Sequence, residues 1–313
     1  MTEEAIVTGG AGFIGANIVK ALLSKGIKVN VFDNLSTGNI QNLPLDKINF
    51  HNFDLKTSFK NWPKIKTSTI YHFAANADVR GGIENHDIDL NENLLVTKNV
   101  CDYSVKNNIK NLIFASSATV YGEPSVFPTP ENVDSNQTSL YGASKKSCES
   151  FIEAYSNYGY FKSSIFRFVS WTGQGYSHGV IYDFVKKLLK NPRKLEILGD
   201  GKQIKSYLDV NDGIDGVLNI SYKQKENTEV FNLGHDEIMD VKKLADIICD
   251  EMNLNNTQYV YSGGKRGWIG DSPVVHLNTK KAKQLGWQPK ISIEESIRKT
   301  VRYLLKDNNR RYR

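Results

Sequence analysis

Three residues in the middle of the chain have the types and spacing for removing a proton from a hydroxyl group. Tyr141 and Lys145 are four residues apart, so on a helix their side chains would lie on one face and reach a common ligand. A tyrosine with its ordinary pKa of about 10 is a weak base, but a neighbouring ammonium group favours the phenolate. Ser117 is placed to hydrogen-bond the same hydroxyl. Because tyrosine and lysine are common on helix surfaces, this chemistry depends on the elements that position the three residues.

A glycine-rich turn near the amino terminus supplies that frame. The stretch Thr8–Gly15 follows the apolar run Ala5–Val7 and leads into an amphipathic helix. In a strand–turn–helix unit Gly9 allows the tight turn, Gly12 lets the backbone approach a pyrophosphate, and Gly15 lets the helix pack closely. The first helical N–H groups then face the phosphates. The sequence therefore predicts a dinucleotide-binding βαβ unit.

An acidic residue after the second predicted strand strengthens this interpretation, since glycines alone also occur where strands simply end. The strand Lys28–Phe32 ends on Asp33, about 20 residues after the turn, where a carboxylate can bind the ribose hydroxyls. An acid at this position repels a 2′-phosphate, so we expect NAD rather than NADP. The positive nicotinamide ring of NAD⁺ would also favour the Tyr141 phenolate.

Apolar strands that alternate with amphipathic helices predict the fold class. The predicted strands are residues 5–7, 28–33, 48–53, 69–73, 111–116, 164–170 and 229–233, and the predicted helices include 88–107, 141–157, 180–190, 210–221, 240–252, 279–285 and 292–305. This alternation favours an α/β fold, a Rossmann doubly wound parallel sheet with right-handed crossovers. We predict an NAD-binding domain of residues 1–170, rejoined by about 206–233. Residues 171–205 and 234–313 would form a smaller, mostly helical substrate-binding domain.

Composition narrows the choice of partners. The net charge of +6 is modest for 313 residues, and part of it lies in residues 307–313, which we interpret as a frayed end rather than a nucleic-acid arm. No apolar stretch approaches the roughly 18 residues of a membrane span, and the chain enters a strand almost at once. We therefore expect a cytoplasmic protein with neither nucleic-acid nor membrane partners. Cys101, Cys148 and Cys249 lack metal-ligand spacing, so we expect buried thiols and no metal.

The chain resembles the extended short-chain dehydrogenase/reductase family, specifically its NAD-dependent nucleotide-sugar epimerases and dehydratases. The resemblance runs along the chain, through Thr8–Gly15, Asp33–Gly38, Asp54 and Leu55, His72–Ala75, Ser116–Gly122, Tyr141–Lys145, Gly199–Asp212 and Gly267–Trp287. It is most similar to the UDP-glucose 4-epimerase branch, and also to capsule-locus relatives that oxidise C4 of GDP-linked heptose. The resemblance implies that Ser117, Tyr141 and Lys145 are the catalytic residues.

The resemblance also implies which residues surround the ligands. Around NAD we expect Gly9, Gly12, Phe13, Ile14, Gly15, Asp33, Asn34, Ser36, Thr37, Gly38, Asp54, Leu55, Phe73, Ala74, Ala75, Asn93, Tyr141, Lys145 and Val169. For the nucleotide diphosphate and the sugar the candidates are Arg80, Ser117, Thr119, Ser170, His178, Val180, Lys205 and Arg266. Asp54 fits a turn residue equally well, and each of the charged substrate candidates fits a solvated surface group equally well. His72 lies within a strand, so we interpret it as a core residue.

Departures from the family pattern bear on the reaction. Family 4,6-dehydratases have Thr-Asp-Glu where this chain has Ser117, Ala118 and Thr119, and an alanine supplies neither acid nor base for elimination. Dehydration is therefore disfavoured. The Asn that binds the diphosphate in UDP-sugar epimerases becomes Ser170, followed by the bulky Trp171, which predicts a changed substrate pose. In the same way, a family Arg-Asp becomes Lys205 and Ser206, which removes bidentate phosphate recognition.

The expected function is NAD-dependent oxidation at C4 of a nucleoside-diphosphate sugar, of the UDP-hexose or GDP-heptose type, for surface polysaccharide precursors. If the hydride returns to the other face of the 4-keto sugar, the enzyme is a 4-epimerase; if the keto sugar leaves, it is a 4-dehydrogenase. The family favours the epimerase, whereas Ser170 and Trp171 favour the dehydrogenase. A noncatalytic NAD-sensing or scaffold protein is the alternative, against which the intact Tyr141 and Lys145 argue.

Assembly is also predicted. Helices 88–107 and 141–157 are expected to carry apolar surface beyond what one subunit covers, and in the family they pair between subunits. We therefore expect a homo-oligomer, a dimer by default and a tetramer as the alternative.

Overall fold

A parallel sheet of seven strands forms the centre of the computed structural model, which describes residues 3–311 and side chains as far as residue 306. The strands in chain order are β1 (Glu4–Thr8), β2 (Lys28–Asp33), β3 (Asn49–Asn52), β4 (Thr69–His72), β5 (Asn111–Ser117), β6 (Lys162–Phe168), β7 (Ser170–Thr172), β8 (Lys194–Ile197), β9 (Ile204–Lys205), β10 (Tyr207–Asp209), β11 (Thr228–Leu233), β12 (Met239–Asp240), β13 (Gln258–Tyr261) and β14 (Val274–Val275). The large sheet has the order β11–β6–β5–β4–β1–β2–β3, with every pair parallel. The predicted doubly wound α/β fold is confirmed. The strand order reverses between β1 and β4, and sheets of this kind bind ligands outside the carboxyl ends of the strands at such a reversal.

Helices cover both faces of this sheet, and others lie in the smaller part of the chain, by which we mean residues 171–205 and 234–313. They are α1 (Phe13–Ser24), α2 (Gly81–Glu84), α3 (Val96–Lys106), α4 (Leu140–Asn157), α5 (Val180–Lys190), α6 (Val210–Ile220), α7 (Val241–Glu251), α8 (Lys280–Gln284) and α9 (Ile293–Arg311). The predicted helix 88–107 starts where expected, but it contains a π-helical segment, Leu90–Leu95, which leads directly into α3. The interpretation of 307–313 as a frayed end was wrong for its first part, because α9 continues to Arg311; residues 312–313 lie outside the described residues. Within residues 3–311 no helix combines the length and apolar character needed to cross a bilayer.

Successive side chains of the strands pack alternately into two separate cores, one on each face of the sheet. In β1, Val7 packs into the core beneath α1 and α6, whereas its neighbour Ile6 packs into the core beneath α3 and α4. A third core joins α5, α7 and α9, and Phe13 at the start of α1 packs against both this core and the first one. The boundaries expected between the two domains stay a prediction, and Phe13 lies where these cores meet.

The smaller part of the chain contains short strands that the expectation of a mostly helical domain missed. Strand β8 pairs with β13, β9 pairs with both β12 and β14, and β7 pairs with β10. These strands have two to four residues each. So few residues cannot show a period of two in the sequence, and only the pairing of distant segments defines them.

His72 is buried in β4, as predicted for a core residue. Its Nδ1 lies 2.7 Å from Thr8 Oγ1, and its Nε2 lies 3.0 Å from Thr97 Oγ1. The ring therefore connects the end of β1 to α3. Burial, together with the nearby Lys145 ammonium, lowers the pKa of His72 to about 3, so the imidazole stays neutral at ordinary pH.

This neutral histidine predicts a loss of stability in mild acid. An unfolded chain takes up a proton at His72 below about pH 6.5, whereas the folded chain does not do so until about pH 3. Between about pH 7.5 and about pH 5.5 this residue should lower the free energy of unfolding by about 1.4 kcal/mol. Urea unfolding of the wild type and of His72→Asn at both pH values measures the difference. Equal pH dependence of the two proteins would contradict the prediction.

Candidate active site

The glycine turn brings three backbone segments into close contact. Gly9 has φ +66°, and a Cβ atom there would lie 2.6 Å from Ala74 N at the end of β4. A Cβ atom on Gly15 would lie 2.1 Å from Gly9 O. Side chains are therefore excluded at both positions, and the amino terminus of α1 lies directly against the turn, as predicted.

The amino terminus of α1 has the donor arrangement that a phosphate group needs. Its N-cap residue, Gly12, makes no side-chain cap, and the first turn carries no acidic residue. By contrast, α4, α6 and α7 are capped by Ser139, Asp209 and Asp240. A Cβ atom on Gly12 would approach only Gly9 O, at 3.3 Å. The first N–H groups of α1 thus lack a side-chain acceptor, and this fits the pyrophosphate of a dinucleotide.

Asp33 connects the glycine turn to the loop after β2. It is 8% exposed; its Oδ2 accepts a hydrogen bond from Ala11 N at 2.9 Å, and its Oδ1 accepts one from Leu35 N at 2.8 Å. Leu35 has φ +58°, a strained conformation for a leucine that this bond helps to hold. The rest of the loop is Asn34, Ser36, Thr37 and Gly38, of which Ser36 and Thr37 are exposed.

Two other residues expected around NAD are engaged within the protein. Asp54 Oδ1 accepts from Lys56 N at 2.8 Å, which is the geometry of a turn residue, and its contact with NAD stays a prediction. The amide of Asn93 is 1% exposed, and its oxygen accepts from Asn76 N at 2.9 Å. Asn93 therefore holds the segment after β4. Of the other expected positions, Leu55 and Val169 are buried, and Phe13, Ile14, Phe73, Ala74 and Ala75 are partly exposed.

The carboxyl end of β5 and the first turn of α4 bring Ser117 and Tyr141 together. Ser139 caps α4 by accepting from Gly142 N at 3.0 Å, which sets the first turn that carries Tyr141. Ser117 Oγ accepts from Thr119 N at 3.2 Å and from Thr119 Oγ1 at 2.9 Å. Its own proton is then free to be donated, and the Ser117 hydroxyl lowers the pKa of the Tyr141 phenol, as a hydrogen-bond donor does. Thr119 thus orients the serine.

Lys145 is buried and bonds a backbone carbonyl, and its expected effect on the ionisation of Tyr141 stays a prediction. Its Nζ donates to Ala115 O at 3.0 Å and lies 4.9 Å from the centre of the Phe114 ring. Burial raises the pKa of Tyr141, the Asp89 carboxylate raises it further, and the Ser117 hydrogen bond lowers it. Burial also lowers the pKa of Lys145. In the protein alone the phenol is therefore protonated, because desolvation outweighs the Ser117 hydrogen bond.

The two basic candidates of the smaller part both bond Asp271, Lys205 through its carboxylate and Arg266 through its backbone carbonyl. Lys205 Nζ donates to Asp271 Oδ1 at 2.8 Å and also to the Ser272 carbonyl. Arg266 donates to Asp271 O at 2.7 Å and pairs with Glu123. Both cations are already neutralised by protein groups. A diphosphate bound by either one would have to replace such a partner.

The remaining substrate candidates lie on loops or at the first residue of a strand or helix. Arg80 is exposed, and its guanidinium lies 5.9 Å from the centre of the Trp268 ring. His178 is exposed beside Tyr176, with ring centroids 6.3 Å apart. Val180 opens α5, and Ser170 is exposed at the start of β7. The structure thus places Arg80 against Trp268, which lies on the same loop as Arg266.

Trp171 does not add bulk to a pocket, so that part of the sequence interpretation was wrong. The side chain is 4% exposed, and its ring lies 4.3 Å from Phe168, centroid to centroid. A Cβ atom on Gly213 of α6 would approach the indole to 2.3 Å. Because β7 pairs with β10, Trp171 points into the main core.

Sequence reasoning missed three polar residues that support the site. Asp89 and Asn76 bond to Asn93, and Glu149 bonds to Arg167. The position of Asp89 four residues before Asn93 was an available signal, since such residues share a helix face. Among residues 3–311, no cluster of three His, Cys, Asp or Glu side chains is arranged to hold a metal ion.

The sequence pattern of the NAD dependent epimerase/dehydratase family matches residues 5–234 of this chain, which is more than half of it. The chain belongs to this family. It is 34% identical over 97% of its length, and over 99% of the other protein, to a Methanocaldococcus jannaschii protein provisionally named a UDP-glucose 4-epimerase. The structure of the Thermotoga maritima UDP-glucose 4-epimerase with UDP-glucose is similar, with a TM-score of 0.90, 30% identity and coverage of 97% of this chain and 99% of that one.

The cofactor expected for this epimerase/dehydratase family member is confirmed as NAD. The Thermus thermophilus UDP-glucose 4-epimerase, solved in complex with NAD, is similar to it with a TM-score of 0.87 at 27% identity, and covers 96% of this chain and 99% of its own. The uncapped amino terminus of α1 and the Asp33 carboxylate are the features of this chain that suit the pyrophosphate and the ribose.

The position of Asp33 predicts that its charge selects the cofactor. Asp33→Asn removes the charge that repels a 2′-phosphate and weakens the bond to Ala11 N, so NAD⁺ affinity should fall roughly tenfold. The ratio of NADP⁺ to NAD⁺ affinity should rise by a similar factor. Binding titrations with both cofactors measure this, with Asp46→Asn at an exposed site as the control. An unchanged ratio would show that Asp33 is only a turn residue.

Proposed function

We propose that this protein is an NAD-dependent 4-epimerase of a UDP-hexose. The observation that carries the proposal is the serine at the carboxyl end of β5, whose lone pairs Thr119 occupies and whose side chain acts on the Tyr141 phenol, in a chain whose glycine turn fits a dinucleotide. Bound NAD⁺ supplies the group that accepts a hydride from C4 of the sugar and later returns it. The residues of the chain provide the proton transfers and the orientation.

Tyr141 takes the proton from the C4 hydroxyl, and Ser117 donates a hydrogen bond to the same oxygen. Thr119 keeps Ser117 in the donating orientation, because its N–H and O–H groups already occupy the serine lone pairs. Lys145 supplies positive charge near the phenol and holds the nicotinamide ribose once it turns from the Ala115 carbonyl. Burial makes the free phenol a poor base, so proton removal is tied to the arrival of positive charge from the cofactor.

The substrate diphosphate is proposed to bind at Arg266 and Lys205. Their present partners, Glu123 and Asp271, would be exchanged for phosphate oxygens. Ser170, His178, Val180 and Arg80 are proposed to line the rest of the substrate site. This assigns substrate binding to the smaller part of the chain, as the predicted domain division does.

An epimerase is proposed over a 4-dehydrogenase because half of the argument for the dehydrogenase is gone. That argument was Ser170 together with the bulk of Trp171 in the substrate pocket, and Trp171 lies in the core, whereas Ser170 stays exposed at the start of β7. The relatives named as UDP-glucose 4-epimerases also support the epimerase and the uridine nucleotide. No feature of the described residues favours a GDP-heptose. A cytoplasmic location and a role in surface polysaccharide precursors stay predictions.

The proposal predicts a specific loss in Tyr141→Phe. This variant keeps the ring and its packing but cannot accept a proton, so turnover with UDP-glucose or UDP-galactose should fall by roughly a hundredfold or more while binding survives. Tyr158→Phe, at a position 73% exposed after the same helix, should retain full activity. With UDP-hexose deuterated at C4, the wild type should form the C4 epimer with the deuterium retained. An accumulating keto sugar with NADH would indicate a dehydrogenase, and full activity of Tyr141→Phe would reject the mechanism.

We also propose that the protein is a homodimer. Large apolar side chains stay exposed on the segments around α3 and α4, which pack against each other: Ile83, Leu90, Leu95, Leu140 and Phe151. A second copy of this surface would cover them, as in isologous dimers.

Replacing apolar residues of this surface by glutamate should separate the subunits. Leu95→Glu combined with Phe151→Glu should convert the dimer to monomers at micromolar concentration, as measured by light scattering. Leu189→Glu, at a position 45% exposed on α5, is the control and should leave the dimer intact. A monomeric wild type would reject the proposal.

A further inference from the structure

A buried carboxylate, Asp89, lies close to Tyr141 and Lys145. Neither the sequence expectations nor the proposed mechanism gives it a role. Asp89 immediately precedes the π-helical segment and is 1% exposed. Its Oδ1 accepts hydrogen bonds from Asn76 Nδ2 at 2.9 Å and from Asn93 Nδ2 at 3.1 Å. Its Oδ2 is buried and has no hydrogen-bond partner among the described residues. An unpaired carboxylate oxygen in the interior is costly, which argues for a role beyond packing.

Hydrogen bonds connect Asp89 to the helix turn that carries Tyr141. The Asn93 amide that donates to Asp89 also donates to Ser144 Oγ at 2.9 Å, and the Ser144 hydroxyl donates to Tyr141 O at 2.8 Å. Asn93 lies within the π-helical segment, a rare geometry that occurs often at functional sites. Asp89 is therefore joined to the backbone of Tyr141 through two side chains.

The unpaired oxygen occupies a narrow space between α2 and the start of α4. A Cβ atom on Gly82 would lie 2.7 Å from Asp89 Oδ2 and 3.1 Å from Leu140 Cβ. The chain has a glycine at the one position of α2 where a side chain would push this carboxylate away. The packing thus holds the charge close to the residue that precedes Tyr141.

Burial raises the pKa of the Asp89 carboxyl, whereas the hydrogen bonds from Asn76 and Asn93 and the Lys145 ammonium lower it. In its ionised form, Asp89 acts on both Tyr141 and Lys145. Burial raises the pKa of Tyr141 most, the Asp89 carboxylate raises it further, and the Ser117 hydrogen bond opposes them. For Lys145, burial lowers the pKa, and Asp89 raises it. One negative charge therefore favours a protonated phenol and a protonated amine together. The other titratable groups that act on this cluster are Cys148 and Glu149 on α4, Asp78 after β4, and His72 in β4.

We propose that Asp89 is a positioning residue whose fixed negative charge sets the pH range in which Tyr141 and Lys145 work. The inference rests on the proposed role of Tyr141 as the base. Asp89 holds the phenol proton and the lysine ammonium in place until cofactor and substrate are bound. Its hydrogen bonds to Asn76 and Asn93 keep that charge at a constant distance from the first turn of α4.

Asp89→Asn separates charge from shape. The amide oxygen can still accept from Asn76 and Asn93, and the amide nitrogen replaces the oxygen that has no partner. Without the charge the phenolate forms more easily, so the acid limb of the pH–turnover profile with UDP-glucose should move to lower pH by roughly half a unit to one unit. Turnover on the plateau should stay within about threefold of the wild type. Asp87→Asn, at an exposed position two residues earlier, should leave the profile unmoved.

A second measurement needs no substrate. The ultraviolet absorbance of tyrosinate in the NAD⁺-loaded protein, taken as a difference against Tyr141→Phe, should titrate at lower pH in Asp89→Asn than in the wild type. If Asp89→Asn does not fold, Asp89→Ser removes the same charge with a smaller side chain and must give the same shift. An unshifted acid limb or tyrosinate titration in a folded variant overturns the inference.

The two variants Tyr141→Phe and Asp89→Asn distinguish failure of the role of Asp89 from failure of the proposed function. Full activity of Tyr141→Phe would reject the base and the epimerase mechanism together. An inactive Tyr141→Phe combined with an unmoved profile in Asp89→Asn would leave the mechanism standing and reject only the role of Asp89.

Discussion

The buried ion pair of Glu149 and Arg167 joins α4, the helix that carries Tyr141 and Lys145, to strands β5 and β6. Glu149 lies on α4, and its carboxylate accepts from Arg167 Nε at 2.9 Å and from Nη2 at 2.7 Å. The Ser116 hydroxyl on β5 donates to the same carboxylate at 2.6 Å, next to Ser117. A buried pair tolerates its desolvation only with such bidentate, fully bonded geometry. Through it, the registers of α4, β5 and β6 are fixed together, and Ser117 meets Tyr141.

The same pair extends toward the loop after β5 and the last strand of the large sheet. Arg167 Nη1 donates to Glu131 O at 2.8 Å, and the guanidinium lies 4.7 Å from the centre of the Tyr121 ring. Tyr121 in turn donates to Asn232 Oδ1 on β11. Polar contacts therefore continue from the catalytic helix across the carboxyl edge of the sheet to its last strand. Removing one partner would leave an uncompensated charge in the interior, which costs far more than a surface pair is worth.

Burial explains why a protein with an intact Tyr-x-x-x-Lys spacing does not hold a ready base. Tyr141 and Lys145 are 9% and 3% exposed, so both charged forms lose their hydration. The lysine ammonium donates a hydrogen bond to the Ala115 carbonyl, and Ser117 lowers the pKa of the phenol against the larger effect of burial. Ionisation of the phenol then depends on charges that arrive with the cofactor. In the proposed mechanism, this arrangement couples removal of the proton from the C4 hydroxyl to the presence of NAD⁺, which oxidises C4.

The sequence by itself determined the fold class, the glycine turn, the position of Asp33 and the family with its cofactor. These follow from local patterns, because the period of apolar residues and the backbone needs of glycine are set by neighbours in the chain. Only the tertiary structure decided where Trp171, Lys145, Asn93 and Asp89 point, and which cations are already paired. Their partners lie far away in sequence, as Arg266 and Glu123 do, and no local pattern specifies a contact between distant segments. Desolvation, which raises the pKa of Tyr141, likewise exists only once the chain has folded around it.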